Sequence, residues 1–104
     1  MELKQIYQIY ESLENFNILK YEKIICKNLK KIRLELYNKY KIEYKKIGSD
    51  NPYSSSNVAD YLNISEVYYR RLESPNDKYK HINVDKLIRL SIIFNVSIND
   101  FISE

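Results

Sequence analysis

Residues 55–73 read SSNVADYLNISEVYYRRLE, and their spacing predicts two short helices joined by a tight turn. Two helices that cross closely need a small residue at the crossing, and Ala59 supplies it. The turn needs a residue that tolerates a positive φ, for which Asn63 is the best choice after glycine. Ser65 is placed to cap the second helix. Three apolar residues then return to the core: Ile64, Tyr69 and Leu72.

Each of these residues meets a separate steric demand, so the pattern is typical of a helix-turn-helix. This unit lays its second helix in the major groove of DNA. The second helix ends in Arg70 and Arg71. The stretch therefore predicts DNA binding, and an ordinary helical hairpin is the alternative.

Composition bounds the class of protein. A chain of 104 residues is the length of one domain, and 44% hydrophobic with 30% charged residues indicates a globular fold. No apolar run approaches the roughly 20 residues of a membrane span, and the N-terminus has no features of a signal peptide. The single cysteine, Cys26, excludes an internal disulfide framework and suits a reducing cytosol. We expect a cytoplasmic protein without a membrane partner.

Enzyme chemistry has little basis in this sequence. The strongest metal-type ligands, Cys26 and His81, are far apart, so no zinc site is expected. Gly48 is the single glycine, which leaves no glycine-rich phosphate loop, and no serine lies in a nucleophile-elbow context. We expect no catalysis, no metal and no cofactor.

Positive charge is concentrated in one segment. The net charge is only +3, but residues 23–53 hold nine lysine or arginine residues against three acidic ones. Residues 1–22 are net negative. Such segregation favours a polyanionic partner. The alternative is an AT-rich coding bias, which would enrich lysine without any partner.

A long helix is predicted upstream of the motif. Its apolar stripe is Ile25, Leu29, Ile32 and Leu36. The helix begins near Tyr21 or Glu22 and, if unbroken, continues to Ile47, where Gly48 supplies a stop. A break near Asn38 is the alternative.

Further helices complete an all-α fold class. An amphipathic helix is predicted from Glu2 to about Glu14, and another from about Val84 to Phe94. Ser97 is expected to cap a last short helix. The apolar face of the N-terminal helix consists of Leu3, Ile6, Tyr7, Tyr10 and Leu13.

The chain resembles the Cro and lambda-repressor-like family, the Xre-type regulators. The resemblance rests on ICKNLKKIR (25–33), VADYLNIS (58–65), YYRRLES (68–74), INVDKLIRL (82–90) and FNVSINDFI (94–102). It covers roughly residues 23–102 and implies a helix-turn-helix bundle of about five helices within a single domain, 1–104.

Three departures from the family pattern accompany this resemblance. An insertion of about residues 37–53 enlarges the link between the first and second family helices. The loop after Glu73 is longer than usual. Residues 1–20 form an extra N-terminal helix, which leaves residues 21–102 as the helix-turn-helix domain. Because the enlarged link lies close to DNA in such folds, it either adds contacts or obstructs docking.

The resemblance implies roles for the second helix of the motif, the recognition helix. Base edges would be read by Glu66 on cytosine, Val67 on a thymine methyl and Arg70 on guanine. A helix-dipole charge with no base contact is the alternative for Glu66. Phosphate contacts are expected from Ser55, Ser56, Tyr68 and Arg71, although Arg71 could instead pair on the protein surface. Glu73 is expected to hold the helix end.

Two lysines of the insertion join the predicted phosphate contacts. They belong to a run in which Lys39, Lys41, Lys45 and Lys46 alternate with Tyr40 and Tyr44, and interleaved basic and aromatic residues suit a nucleic-acid backbone. A solvated helix face is the alternative.

The expected partners are double-stranded DNA and a second copy of the chain. Members of the resembled family usually bind near-palindromic sites as two-fold dimers, which implies repression by operator occupancy. The N-terminal helix must bury its apolar face on its own core or on another subunit, and we expect it to form the dimer contact with the insertion. The alternative function is a protein-interaction module or antitoxin-like partner with weak or no DNA binding.

Overall fold

The fold is all-α, as expected: a computed structural model describes residues 2–76 and 82–104, and every regular element in these ranges is a helix. In chain order the helices are α1 (Leu3–Glu14), α2 (Ile18–Lys46), α3 (Ser55–Tyr61), α4 (Glu66–Leu72), α5 (Val84–Phe94) and α6 (Ile98–Ile102). None of these, across the described ranges, combines the length and apolar composition that a bilayer crossing requires. The longer loop expected after Glu73 lies partly outside the described residues.

α2 starts earlier than its apolar stripe indicates. The side chain of Asn17 accepts a hydrogen bond from the backbone N–H of Lys20 at 3.3 Å, so the helix is capped there and begins at Ile18. The predicted start near Tyr21 or Glu22 is therefore wrong by about one turn. The reason is that a cap, rather than the first core contact, sets where the helix begins.

α2 is also continuous. The alternative of a break near Asn38 is wrong, because the helix spans 29 residues to Lys46, about 43 Å at 1.5 Å per residue. Neither glycine nor proline occurs within it. Gly48 then takes a φ of 67° just beyond the C-terminus, which ends the helix. The segment over residues 37–53 is thus helical for most of its length.

The insertion folds back on the body of the protein. The rings of Tyr40 and Tyr53 stack with centroids 5.8 Å apart, and Tyr53 lies 6.3 Å from the ring of Phe94. Asn51 fixes the loop by donating from Nδ2 to the carbonyl oxygen of Tyr37 at 2.9 Å. The aromatic side chains of this segment therefore contribute to packing.

One hydrophobic core holds α2 to α6 together. Its buried centre consists of Leu29, Val58, Ala59, Leu62, Tyr69, Leu72, Leu90, Phe94 and Phe101. Asn28 ties the C-terminus to α2, since its Nδ2 donates to the carbonyl oxygens of Phe101 and Ser103, each at 2.8 Å. Helices as short as α3, α4 and α6 depend on such tertiary contacts for their stability.

The α3–α4 pair has the local geometry that its sequence predicts. Ala59 is 1% exposed, and Asn63 takes a φ of 57° in the turn. The hydroxyl of Ser65 accepts from the backbone N–H of Tyr68 at 3.1 Å and caps α4. Tyr69 is fully buried, as is Leu72. α4 is thereby fixed by one side, and its other side faces outward.

α5 and α6 begin at side-chain caps. The side chain of Asn83 accepts from the backbone N–H of Lys86 at 2.9 Å, which confirms the predicted start of α5. At α6, the backbone N–H of Ser97 donates to the carboxylate of Asp100 at 2.9 Å. Both helices pack against α2 and close the core beside the α3–α4 pair.

α1 projects away from this body, and none of its residues is buried. Leu3, Tyr7, Tyr10 and Leu13 are between 62% and 66% exposed. The molecule is correspondingly elongated, with dimensions of 63 × 25 × 20 Å. Of the two predicted ways to bury the apolar face of α1, burial on its own core is absent from the described structure.

Candidate functional site

The outward face of α4 carries the three residues predicted to read base edges. The side chain of Arg70 is 69% exposed and that of Glu66 is 39% exposed, while Val67 is 67% exposed. Tyr69 and Leu72 anchor the opposite face in the core. The described part of the insertion leaves the outward face of α4 accessible.

Glu66 links the start of α3 to α4. Its Oε1 accepts from the Ser55 hydroxyl at 2.9 Å and from Nη2 of Arg70 at 2.8 Å. One predicted phosphate contact and two predicted base-reading residues therefore share one hydrogen-bonded group. The Glu66–Arg70 pair is exposed, so it stabilises the helix by only about 0.3–0.5 kcal/mol and can exchange its partners at little cost.

A buried ion pair fastens the end of α4 to α2. Arg33 and Glu73 are 9% and 6% exposed, and Nη2 of Arg33 donates to Oε1 of Glu73 at 3.0 Å while Nε donates to Oε2 at 2.5 Å. The Tyr69 hydroxyl also donates to Oε2, at 2.7 Å. Nη1 of Arg33 donates to the carbonyl oxygen of Tyr53 at 3.2 Å, which connects the same cluster to the insertion.

The electrostatics of this cluster keep Arg33 charged and Tyr69 neutral. Burial alone would lower the pKa of Arg33, but its hydrogen bond to Glu73 and the charge of that carboxylate outweigh burial and raise the pKa. Burial, followed by the charge of Glu73, raises the pKa of Tyr69. This is the structural role expected for Glu73.

Sequence reasoning did not identify Arg33 as the ion-pair partner of Glu73. The available signal was the position of Arg33, four residues after Leu29 and next to the apolar stripe of α2.

A cleft lies between α2 and the α3–α4 pair, with a volume of about 730 Å³. Its lining includes Ser55 and Arg70, together with three lysines of α2 that sequence reasoning did not single out: Lys27, Lys30 and Lys31. Their spacing, i, i+3 and i+4, places them on one face of the helix and was the signal available. With Arg33, which also lines the cleft, the structure thus gathers five basic side chains around the start of α3 and the middle of α4.

The other predicted phosphate contacts are distributed more widely. Lys45 and Lys46 lie in the last turn of α2 and are exposed. Neither lines this cleft. Ser56 and Arg71 are also exposed. Tyr68 is half-buried, with Nζ of Lys86 5.7 Å from its ring centroid. Their phosphate contacts stay predictions.

The described residues contain no cluster of three His, Cys, Asp or Glu side chains that could hold a metal ion. Cys26 is buried in α2. His81, the other ligand type considered, lies outside the described residues. The site is therefore characterised by its basic and hydrogen-bonding side chains.

Comparisons with known protein families, curated proteins and solved structures find no match to this chain. Functional assignment therefore depends on the geometry of α4 and the surfaces beside it.

Proposed function

We propose that the protein is a sequence-specific DNA-binding regulator of the cytoplasm, a repressor rather than an enzyme. In this proposal α3 and α4 form the helix-turn-helix of a Cro or lambda-repressor-like bundle, and two copies bind a near-palindromic operator. The observation that carries the proposal is the exposed face of α4, where Arg70 and Val67 project from a helix locked below by the Arg33–Glu73 pair.

The side chains on this face suit base recognition. A guanidinium such as that of Arg70 can donate two hydrogen bonds to O6 and N7 of guanine, and Val67 can pack on a thymine methyl. Glu66 would either accept from N4 of cytosine or keep Arg70 oriented, as its hydrogen bond of 2.8 Å favours. Discrimination then comes from a few rigidly presented groups.

Backbone contacts would surround these base contacts. We assign them to Ser55, Ser56, Tyr68, Arg71, Lys45 and Lys46. Such contacts position the helix without reading sequence and make the affinity depend on salt. Their number is measurable as the slope of log K against log salt, about −0.9 for each neutralised phosphate.

Selection of bound duplexes from a random DNA pool tests the proposal. A near-palindromic consensus with half-sites about one helical turn apart is the expected result. A pool that shows no enrichment over random sequence contradicts the assignment.

The chain offers a matched pair of variants for the selected duplex. Arg70 pairs with Glu66, and Arg89 pairs with Asp85, each as an exposed i, i+4 ion pair. Arg70→Ala should weaken binding by about 1–3 kcal/mol and relax preference at one base pair. Arg89→Ala removes the same charge from α5 and should leave that preference intact. Equal effects of the two variants contradict a base-reading role for Arg70.

A protein-interaction module or antitoxin-like partner is the second candidate. The observation that favours it is the exposed apolar face of α1, because such a face suits another protein surface. For that function Arg70→Ala has no effect on binding, whereas charged substitutions on α1 remove it. The two candidates are compatible in a chain that binds both DNA and a protein partner.

A further inference from the structure

The cleft beside α4 contains positive charge that the proposed base contacts do not use. Arg33 is neutralised there by Glu73, and Arg70 is paired with Glu66. Over residues 2–76 and 82–104, the ammonium groups of the three cleft lysines, Lys27, Lys30 and Lys31, make no ion pair. Among the described residues, the cleft therefore holds three positive charges without an ion-pair partner, and a concave surface of one sign concentrates ions of the opposite sign.

The backbone that carries these lysines is held in place. All three lie on two adjacent turns of α2, where i, i+3 and i+4 neighbours have Cβ atoms about 5–6 Å apart. Leu29 and Arg33, on the same turns, are buried in the core and in the ion pair with Glu73. Because α2 and α4 are joined by that pair, the two sides of the cleft keep a fixed separation.

We propose that this cleft is a phosphate-binding site. Lysine ammonium groups are donors only, so they match a ligand that offers only acceptors and negative charge. A phosphate group presents several oxygens to three donors that line the same cleft, and an open cleft admits a phosphate that remains attached to a larger molecule. Ser55 and Arg70 border the same cleft, so a bound phosphate lies directly beside the recognition helix.

Two sources supply this chemistry, a DNA strand and a free phosphate compound. A strand running along α4 in the groove would place a backbone phosphate next to Ser55. In that form the inference rests on the proposed function and adds α2 to its DNA contacts. A free polyphosphate would occupy the same three lysines and compete with the strand.

A double variant and its charge-matched control test the site. Lys27→Gln with Lys31→Gln removes two of the three cleft charges. Lys4→Gln with Lys20→Gln removes two charges from exposed positions on α1 and on α2 outside the cleft lining. Calorimetric titration with inorganic tripolyphosphate at constant ionic strength measures the affinity of the cleft for a free phosphate compound. Binding to a random-sequence DNA duplex at several salt concentrations measures the slope of log K against log salt.

The cleft variant should bind tripolyphosphate about ten-fold more weakly than the control, in line with the loss of two charge contacts. If the slope of log K against log salt becomes less steep by about two units in the cleft variant and not in the control, the site binds the DNA backbone. An unchanged slope with lost tripolyphosphate binding assigns it to a free phosphate compound. The proposal is overturned when neither measurement separates the cleft variant from the control. A failure of the wild-type chain to select any DNA sequence rejects the proposed function, and the tripolyphosphate titration still decides on the cleft.

Discussion

Glu73 is the residue on which the position of α4 depends most strongly. It accepts hydrogen bonds from Arg33 on α2 and from Tyr69 within α4, and all three side chains are largely buried. A charged group in such surroundings is tolerated because its partner is charged and correctly placed. Removal of one partner leaves the other unpaired in a poorly hydrated site.

Glu73→Ala should therefore lower the free energy of unfolding by about 3–5 kcal/mol. Glu66→Ala is the control, since its pair with Arg70 is exposed, and it should cost less than about 1 kcal/mol. Urea denaturation of both variants measures the difference. Similar costs for the two would show that the buried pair does not fasten α4 to α2.

The hydroxyl of Tyr69 predicts a loss of stability at alkaline pH. Burial and the neighbouring Glu73 raise its pKa above the ordinary 10.0, so the folded chain retains a proton that the unfolded chain releases. Above pH 10 the unfolded state binds fewer protons, and the free energy of unfolding should fall by up to about 1.4 kcal/mol per pH unit.

The Tyr69→Phe variant tests this dependence. It should be less stable than wild type at pH 7, by about 1.5–3 kcal/mol for a hydrogen bond to a charged group, and its stability should fall less steeply above pH 10. Tyr10→Phe, on exposed α1, is the control and should retain the wild-type slope. Parallel pH profiles for wild type and Tyr69→Phe would contradict the assigned cause.

At the level of elements, the turn between α3 and α4 is predictable because its demands are local. Asn63 has a φ of 57°, a conformation that a β-carbon disfavours. Asn63→Ala should cost about 1 kcal/mol, and Asn63→Gly should cost less. Asn38→Ala, the same substitution inside α2, should be neutral or slightly stabilising because alanine favours helix. Thermal melts of the three variants check this order, and a neutral Asn63→Ala would argue against strain in the turn.

Sequence reasoning was accurate where one residue answers one local requirement, as with Ala59, Asn63 and Ser65. It missed one local signal, the cap at Asn17 that starts α2, and it failed elsewhere where the requirement is set by distant parts of the chain. The partner of Glu73 lies forty residues away in α2, so local spacing could not identify it. The cleft lysines likewise acquire their setting only when α2 packs beside α3 and α4. The stacking of Tyr40, in α2 past Asn38, on Tyr53 is likewise a contact that local spacing does not predict.

At the scale of the whole molecule, α1 is an amphipathic helix with no partner inside the described protomer. We expect a second copy of the chain to cover its apolar face. Tyr10→Glu with Leu13→Glu should raise the dimer dissociation constant at least about ten-fold, because two charges would be buried at the contact.

Gln8→Glu with Ser12→Glu adds the same charge to the opposite face of α1 and should leave the constant nearly unchanged. Sedimentation equilibrium measures both variants. A dimer that survives the apolar-face substitutions, and also survives deletion of residues 1–16, excludes α1 from the contact. The deletion stops there because α2 is capped by Asn17.

The unbroken course of α2 has a consequence for operator architecture. The helix is joined to α1 at its N-terminal end, and Arg33 near its middle forms the ion pair with Glu73 at the end of α4. In a dimer joined through α1, α2 therefore acts as a rigid spacer. It fixes the distance between the two α4 recognition helices and their relative rotation about the DNA axis. Five extra base pairs between the half-sites would rotate one half-site to the opposite side of the duplex, because they add about half a helical repeat. A rigid α2 cannot adapt to that rotation of the half-site. Either the short α1–α2 link at Asn15–Asn17 or the DNA itself must bend instead.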